Sequence, residues 1–154
     1  PEEIKFKRKK INIYFLGPAW DDWSVNENST YAALNGLTLR PCEEEITGDI
    51  SNASMIDEEF TNINMMIKYY KFGFGRATDY VNEEIRLGLM SREEGIQIVK
   101  KYDGICDDSI IKNYCDYVKI KIGEFWEIVY SYTNKDLFEI KKGNVRPIRK
   151  FKII

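Results

Sequence analysis

The sequence predicts a mostly α fold, with about five helices in the main body and one leading strand. From Asp57 onward, apolar residues recur at the three- and four-residue spacing of buried helices. Ser24 and Ser91 each stand three residues before a glutamate, which is the spacing of a helix capping box. The segment INIYFLG, residues 11–17, is rich in Ile, Tyr and Phe and precedes a proline, as is typical of a strand.

The order of elements follows from the same patterns. A helix over 25–35 ends before a glycine, and residues 37–56 form a long connection of the kind that is functional or mobile. The tail NVRPIRKFKII, residues 144–154, forms either a closing strand or a frayed end. The five predicted helices of the main body cover 57–72, 77–88, 91–104, 108–118 and 123–132.

Composition excludes several classes of protein. A chain of 154 residues with 44% apolar content can bury one hydrophobic core. The absence of histidine excludes Ser-His-Asp and Cys-His catalysis and His-ligated zinc. The three cysteines lack C-x-x-C spacing, which disfavours disulfides and a zinc ribbon and favours the cytoplasm. We expect Cys106 and Cys115 to be buried thiols.

The charge is unevenly distributed along the chain. The net charge is −2, but residues 1–10 and 141–154 are basic while 11–140 carries 12 basic and 23 acidic residues. Two short basic ends are typical of solvated termini and disfavour a nucleic-acid partner, which requires a clustered basic face. No apolar run approaches the ~20 residues of a membrane-spanning helix, so no membrane partner is expected.

The segment KFGFGRATDYVNEEIR, residues 71–86, places Gly73 and Gly75 just ahead of a helix. Such glycines let backbone N–H groups point outward at the positive end of the helix. With Lys71 and Arg76 beside them, this corner is suited to hold a phosphate or a carboxylate. We therefore expect Gly75 to adopt a backbone conformation closed to alanine. We expect Arg76→Lys to weaken ligand binding, because the bidentate guanidinium is lost, and to change the stability of the fold little.

On a helical wheel, one face of this helix is apolar and the opposite arc is charged. The charged arc fits two interpretations: an exposed helix with surface ion pairs, or part of the anion site. Glu84 lies beside the apolar face, where a carboxylate needs a partner. The apolar face holds Ala77, Val81 and Ile85, and the charged arc holds Arg76, Asp79, Glu83 and Arg86.

The segment WDDWSVNEN, residues 20–28, is a second candidate site. It follows the C-terminal end of the predicted strand, where ligands of open α/β sheets bind. Trp23 offers an indole face to a sugar ring, with Glu27 and Asn28 as polar neighbours. The alternative is that Trp23 covers the core and Glu27 serves the helix cap.

Both segments resemble the C-terminal part of the N-acetyl sugar amidotransferases. These are ATP-pyrophosphatase (PP-loop) enzymes of lipopolysaccharide O-antigen and flagellar sugar biosynthesis. The resemblance runs from about Ile11 to Asn134. It is carried by KFGFGRATDYVNEEIRLG, by the downstream SREEGIQIVKKYDG, and by WSVNEN, which matches a W-x-x-x-E-N pattern. Ser24 stands where the family more often has an acid.

The resemblance implies an ATP- and magnesium-dependent reaction that converts the acetamido group of a nucleotide-linked N-acetyl sugar to an acetamidino group. Ammonia would come from glutamine through glutaminase and ammonia-channelling partner subunits. Lys71 and Arg76 would be catalytic groups that stabilise charge at a phosphate. The implied substrate-binding residues are Trp23, Glu27, Asn28, Gly73, Gly75, Thr78, Asp79, Glu84 and Arg86.

The resemblance also divides the chain. Residues 1–50 would be the end of the PP-loop nucleotide-domain sheet with its connecting helix and loop, 51–140 a helical domain that closes over the substrate, and 141–154 a basic tail. The Ser-Gly-Gly-x-Asp-Ser nucleotide loop of the family does not occur in the sequence, so we expect the chain to be inactive alone.

Two other functions stay open from the sequence. One is a non-catalytic helical module that docks a glutaminase partner through its acidic face. The other is a tRNA-binding helical domain of a PP-loop enzyme, for which the basic tail is the argument. The sequence also leaves homo-oligomerisation open.

Overall fold

The computed structural model describes residues 13–15, 19, 24–151 and 153. The fold is mostly α, as predicted, with a little strand. No helix in the described part of the chain is long and apolar enough to span a membrane. The described helices are α1 Val25–Leu34, α2 Glu44–Thr47, α3 Thr61–Phe72, α4 Arg76–Arg86, α5 Arg92–Tyr102, α6 Asp108–Val118 and α7 Ile122–Tyr132, and the strands are β1 Phe138–Glu139 and β2 Ile148–Arg149.

The helix boundaries follow the sequence pattern except at the start of α3, which begins at Thr61 rather than at residue 57. Arg40 donates hydrogen bonds to the backbone carbonyls of Met55 and Glu58, which hold the preceding segment as a turn. Met55 has a φ of +50° and so lies outside the right-handed helical region. The Glu58 carboxylate accepts from the Phe60 N–H at 2.7 Å. These local bonds compete successfully with the helix.

The hydrophobic core lies between α3, α6 and α7 and is closed by β1. Each helix buries one stripe of apolar residues, and the rings of Phe125 and Trp126 meet edge to face at 5.4 Å. Fully burying one such apolar side chain contributes about 1.5–3 kcal/mol, so packing rather than intrinsic propensity stabilises these short helices. The buried members are Ile63, Met66, Tyr70, Cys106, Ile110, Ile111, Cys115, Phe125, Trp126, Val129 and Phe138.

Helices α4 and α5 form an antiparallel pair beside this core. Ala77 and Val81 are buried, as the helical wheel predicted. A Cβ added to Gly95 of α5 would lie 2.4 Å from Cγ1 of Val81 and 3.0 Å from Cδ1 of Ile85, so the two helices approach closely. The start of α4 therefore meets the end of α5.

The C-terminal tail forms a strand, which is one of the two forms expected. β2 pairs antiparallel with β1, and Arg149 lies opposite Phe138. Arg146 donates to the backbone carbonyl of Cys106 at 2.7 Å, and its guanidinium lies 5.4 Å from the centre of the Trp126 ring. The expectation of a solvated terminus is therefore wrong for these two arginines, because each is held by the folded helices.

The predicted leading strand at 11–16 is not seen in the residues described there. Residues 13–15 have no regular secondary structure and are exposed. The other residues of that segment, 11, 12 and 16, lie outside the described part of the chain.

The three cysteines differ in accessibility, which a thiol reagent can measure. Cys42 is exposed, whereas Cys106 and Cys115 are each 1% exposed, which confirms the prediction of buried thiols. Burial raises the pKa of the Cys106 thiol to about 12 and also raises the pKa of Cys115. We expect iodoacetamide near neutral pH to alkylate Cys42 quickly, and the other two only in denaturant, as measured by mass spectrometry. The Cys42→Ser variant should lose the fast reaction, and rapid native alkylation of Cys106 would contradict the described core.

Candidate functional site

The Gly-x-Gly bend joins α3 to α4 through two different backbone conformations. Gly73 ends α3 in the left-handed region, with a φ of +84°, and its N–H donates to the Tyr69 carbonyl at 2.8 Å. Gly75 is the N-cap of α4 and has an extended backbone, with φ −120° and ψ −155°. The expectation that Gly75 adopts a conformation closed to alanine is wrong, because side-chain-bearing residues also adopt a φ in this range.

A carboxylate of the chain itself occupies the N-terminus of α4. Asp103 follows α5 and accepts from the Gly75 N–H at 2.8 Å, the Thr78 N–H at 3.2 Å and the Thr78 hydroxyl at 2.6 Å. The positive end of a helix favours an anion, and here Asp103 supplies it. A Cβ on Gly75 would lie 2.8 Å from Oδ1 of Asp103. A side chain at position 75 would therefore force this carboxylate to move.

The turn after α5 presents Asp103 to α4. Gly104 has a φ of +82°, and a Cβ there would lie 2.3 Å from Cδ1 of Tyr69. Asp-Gly dipeptides favour turns, and one directly after a helix was a signal that the sequence offered. The sequence predicted an anion at the N-terminus of α4, but it did not predict that the Asp103 carboxylate would be that anion.

Arg76 is buried, so its placement on an exposed arc was wrong. Its side chain is 9% exposed, and its guanidinium donates to Oδ2 of Asp49 at 3.2 Å and to the Thr61 hydroxyl at 3.3 Å. Asp49, with a side chain 2% exposed, also accepts from the N–H groups of Ser51 at 3.1 Å and Asn52 at 3.4 Å. Two buried charges need several hydrogen-bond partners, because the free-energy cost of removing them from water otherwise exceeds the gain from their mutual attraction.

Lys71 differs from Arg76 in its surroundings. It is exposed, and its Nζ lies 5.2 Å from the centre of the Phe72 ring and 5.8 Å from that of Tyr132. The phosphate roles of Lys71 and Arg76 stay predictions. The described structure gives the Arg76 guanidinium two partners within the protein.

Asp79 and Arg86 lie on the charged arc of α4. Asp79 forms an ion pair with Lys68 of α3, which favours the surface-pair interpretation for this carboxylate. The Lys68 Nζ also lies 4.7 Å from the centre of the Phe74 ring. Arg86 is exposed in the last turn of α4.

Two glutamates of α4 hold the first turn of α1. The Glu83 carboxylate accepts from the Val25 N–H at 3.1 Å, and the Glu84 carboxylate accepts from the Asn26 side-chain amide at 2.8 Å. The partner that Glu84 was expected to need is therefore Asn26. This contact brings the second candidate segment close to the far end of α4.

The second candidate segment is described only from Ser24 onward. The Ser24 hydroxyl accepts from the Glu27 N–H at 3.0 Å, which is one half of the predicted capping box. Glu27 and Asn28 are exposed on α1. Trp23 lies outside the described residues. The described residues of this segment contact Glu83 and Glu84 at the far end of α4 from the Gly-x-Gly bend.

A basic pocket of about 280 Å³ lies between the bend, α5 and the C-terminal tail. We define the basic pocket by Gly73, Thr78, Arg92 and Arg149, which share it with apolar residues of α4 and α5. None of the described residues that line it is acidic. Arg149 is held there by donating to the Gly73 carbonyl at 2.8 Å. Gly73 and Thr78 were predicted from the sequence as site residues, whereas Arg92 and Arg149 were not.

A larger cavity, of about 600 Å³, has Asp49 of the Asp49–Arg76 pair among its lining residues. We call it the acidic cavity; Glu43, Asp49 and Asn62 are among its lining residues. The residues that the sequence singled out as site candidates do not line it. Much of its lining comes from the 37–56 connection, whose length was the one signal in the sequence.

Breaking the buried Asp49–Arg76 ion pair should destabilise the protein strongly. Arg76→Met leaves the Asp49 carboxylate buried without its cation, which should lower the free energy of unfolding by about 3–5 kcal/mol in urea denaturation. Adding Asp49→Asn should recover part of this loss. The matched control Lys112→Met removes the exposed pair with Asp116 and should cost less than about 1 kcal/mol. Equal costs for Arg76→Met and Lys112→Met would contradict the role of the pair.

The reason for glycine at position 75 can be tested by a double-mutant cycle. Gly75→Ala should destabilise the protein, because the new Cβ meets the Asp103 carboxylate. Asp103→Ala alone should cost about 0.5–2 kcal/mol, as loss of a helix N-cap does. In the Asp103→Ala background, Gly75→Ala should cost less, as measured by thermal unfolding. The same cost in both backgrounds would instead indicate backbone strain at Gly75.

Comparison with known proteins adds one finding. A family described as "LPS biosynthesis protein WbpG-like, C-terminal domain" matches residues 49–152. The match includes the core helices, both strands, the Asp49–Arg76 pair and Asp103. No curated protein and no solved structure matches the chain. Because the family match covers more than half of the chain, the chain belongs to the WbpG-like family of lipopolysaccharide biosynthesis proteins and carries its C-terminal domain.

Proposed function

We propose that this chain is the C-terminal portion of an ATP-dependent amidotransferase that acts on a nucleotide-linked N-acetyl sugar in the cytoplasm. ATP would activate the acetamido oxygen and release pyrophosphate. Glutamine-derived ammonia would then replace that oxygen, which leaves with AMP, to give an acetamidino group. Family membership supports a role in lipopolysaccharide biosynthesis. The resemblance of the KFGFGRAT and WSVNEN segments to N-acetyl sugar amidotransferases supports the reaction.

The basic pocket is the structural observation that best supports a nucleotide-linked substrate. The central part of the chain is acidic, yet Arg92 and Arg149 line this pocket without a carboxylate among its described lining residues. Guanidinium groups bind phosphate oxygens through paired hydrogen bonds. Arg149 is preorganised for such a contact by the Gly73 carbonyl and by the Tyr69 ring, 5.8 Å away. These features support binding of the phosphates of a nucleotide-linked sugar.

The activation of ATP requires groups other than those of the basic pocket. The described residues contain no group of three or more His, Cys, Asp or Glu side chains placed to hold a metal ion, so we assign no magnesium ligand to them. The N-terminus of α4 already holds the carboxylate of Asp103. We therefore propose that a nucleotide-binding loop outside this sequence activates ATP, and that glutaminase and ammonia-channelling subunits supply the ammonia.

The tRNA-binding alternative depended on the basic tail. In the structure Arg146 donates to Asp108 at 2.6 Å and to the Cys106 carbonyl at 2.7 Å, so this guanidinium of the tail already has partners in the protein. This engagement favours the nucleotide-sugar proposal over the tRNA-binding one.

Deletion of the gene in the source cell tests the proposal. We expect the acetamidino sugar nucleotide to disappear and its N-acetyl precursor to accumulate, as measured by mass spectrometry of cell extracts. The wild-type gene should restore the product, and Arg92→Gln should restore less because the phosphate contact is weakened. The control Lys112→Gln, at an exposed lysine of α6, should restore it fully. An unchanged level of acetamidino sugar after deletion, or its absence from the parent cell, would contradict the proposed reaction.

A further inference from the structure

A further cavity, of about 270 Å³, lies on a different side of the α4–α5 pair from the basic pocket. Tyr80 and Glu84 of α4 line it, and so do Ile98 and Tyr102 of α5. Within each helix the two residues are four positions apart and share one face, whereas other residues of the same helices line the basic pocket. We call this cavity the tyrosine pocket; the rest of its described lining is Asn26, Glu44, Ile50 and Met90.

Helix α2 is held against the tyrosine pocket by the end of α5. A Cβ added to Gly48, which ends α2, would lie 2.8 Å from the carbonyl oxygen of Tyr102, so the two backbones are in close contact. The Ile46 carbonyl of α2 accepts from the Asp107 N–H at 2.8 Å. These contacts fix Glu44 of α2 beside α5, and the pocket is therefore formed without a ligand.

Three side chains of the tyrosine pocket supply hydrogen-bond acceptors. Glu44 and Glu84 are half-buried, and neither carboxylate forms an ion pair with another residue in the described part of the chain. Asn26 donates through its Nδ2 to Glu84 at 2.8 Å, and its Oδ1 is a further acceptor. An alkylammonium group carries three N–H donors and no acceptor. Its donors match these acceptors.

Two tyrosine rings in the lining favour the same kind of ligand. Tyr80 is 7% exposed and Tyr102 is half-buried. The face of an aromatic ring attracts a cation through its quadrupole, and the Nζ of Lys101 already lies 4.8 Å from the centre of the Tyr102 ring. Lys101 pairs with Glu45 at 3.3 Å and is not among the lining residues. None of the described residues that line the pocket is basic, so its two carboxylates repel an anion.

The size and the apolar part of the lining define the ligand further. Ile50, Met90 and Ile98 present aliphatic groups beside the carboxylates. A bare metal ion would leave these groups uncovered, and the described residues place no three metal-binding side chains together. The cavity is smaller than the roughly 300–1,000 Å³ of sites for drug-sized molecules, so its ligand is small. A short alkyl chain that ends in an ammonium group has the required size and charge.

We propose that the tyrosine pocket binds a small alkylammonium ligand. The ammonium group donates to Glu44, Glu84 and Asn26, the rings of Tyr80 and Tyr102 stabilise its charge, and its alkyl chain packs against the aliphatic side chains. This site is independent of the proposed amidotransferase reaction. The α4–α5 pair then separates two sites of opposite preference, because the basic pocket on its other side suits anions.

Titration of the ¹⁵N-labelled chain followed by NMR tests the proposal. n-Butylamine, which is protonated at neutral pH, should shift the backbone amide signals of Tyr80, Glu84 and Tyr102 in a saturable manner. 1-Butanol has the same carbon chain without the charge and should bind about tenfold more weakly or worse. Butyrate, an anion, should leave these signals unchanged. Added sodium chloride should weaken the n-butylamine complex, because it screens carboxylates that are partly exposed.

Glutamine variants separate binding from folding. Glu44→Gln and Glu84→Gln each remove one charge but keep an acceptor oxygen, so each should weaken n-butylamine binding about fivefold or more with little change in melting temperature. The matched control Glu93→Gln removes the same charge from an exposed residue of α5 outside the lining. It should leave the affinity unchanged.

Two variants of Tyr102 test the contribution of its ring. Tyr102→Phe keeps an aromatic ring and should bind n-butylamine nearly as the wild type does, whereas Tyr102→Leu should bind about threefold more weakly or worse. The proposal is overturned if n-butylamine causes no saturable shifts, if 1-butanol binds as tightly, or if both glutamine variants keep full affinity. Equal affinities of the two Tyr102 variants would also overturn it.

Discussion

The buried contact between Arg76 and Asp49 fixes the positions of three otherwise separate segments. Arg76 is the first residue of α4, Thr61 the first of α3, and Asp49 belongs to the connection before α3. Neither charge can be buried alone, so the position of one determines that of the other. Asp103 adds a second carboxylate at the same helix end, where the N–H groups of Gly75 and Thr78 hold it. The start of α4 is thus the point at which the connection, α3 and the end of α5 are joined.

Sequence alone predicted the features that depend on neighbours along the chain. Helix α6 was predicted to the residue, because its cap and its apolar stripe lie within a dozen positions. Arg76 was misplaced because a wheel treats arginine as a surface residue, and its partner Asp49 lies 27 positions away in a segment without regular pattern. Gly75 was singled out for a backbone conformation that it does not adopt, and its close neighbour Asp103 could not be foreseen because it lies 28 positions away. Local sequence patterns cannot identify which of the many carboxylates in the chain will contact a given helix end or arginine.

The net charge of −2 gives no hint of how charge is arranged in space. The fold gathers two arginines around the basic pocket and five carboxylates around the acidic cavity. Partial exclusion of water strengthens electrostatic interactions within a pocket, so the local field in each pocket differs from what the net charge of the chain would suggest. The resemblance to sugar-modifying enzymes singled out the start of α4, and the folded arrangement adds that the two pockets described near it have linings of opposite charge.

The C-terminal arginines contact residues that are far away in the sequence, and this separation influences the order of folding. Arg149 contacts Gly73 across 76 positions, and Arg146 contacts Met66 across 80, whereas the pairs α4–α5 and α6–α7 pack between helices that are neighbours in sequence. Contacts of such separation carry a large loop-closure entropy and tend to form late. The tail should therefore dock after the helices have assembled, and it should also detach first in transient opening. Because Arg149 belongs to the basic pocket, an anion bound there would select the docked tail from this equilibrium and slow its exchange with solvent.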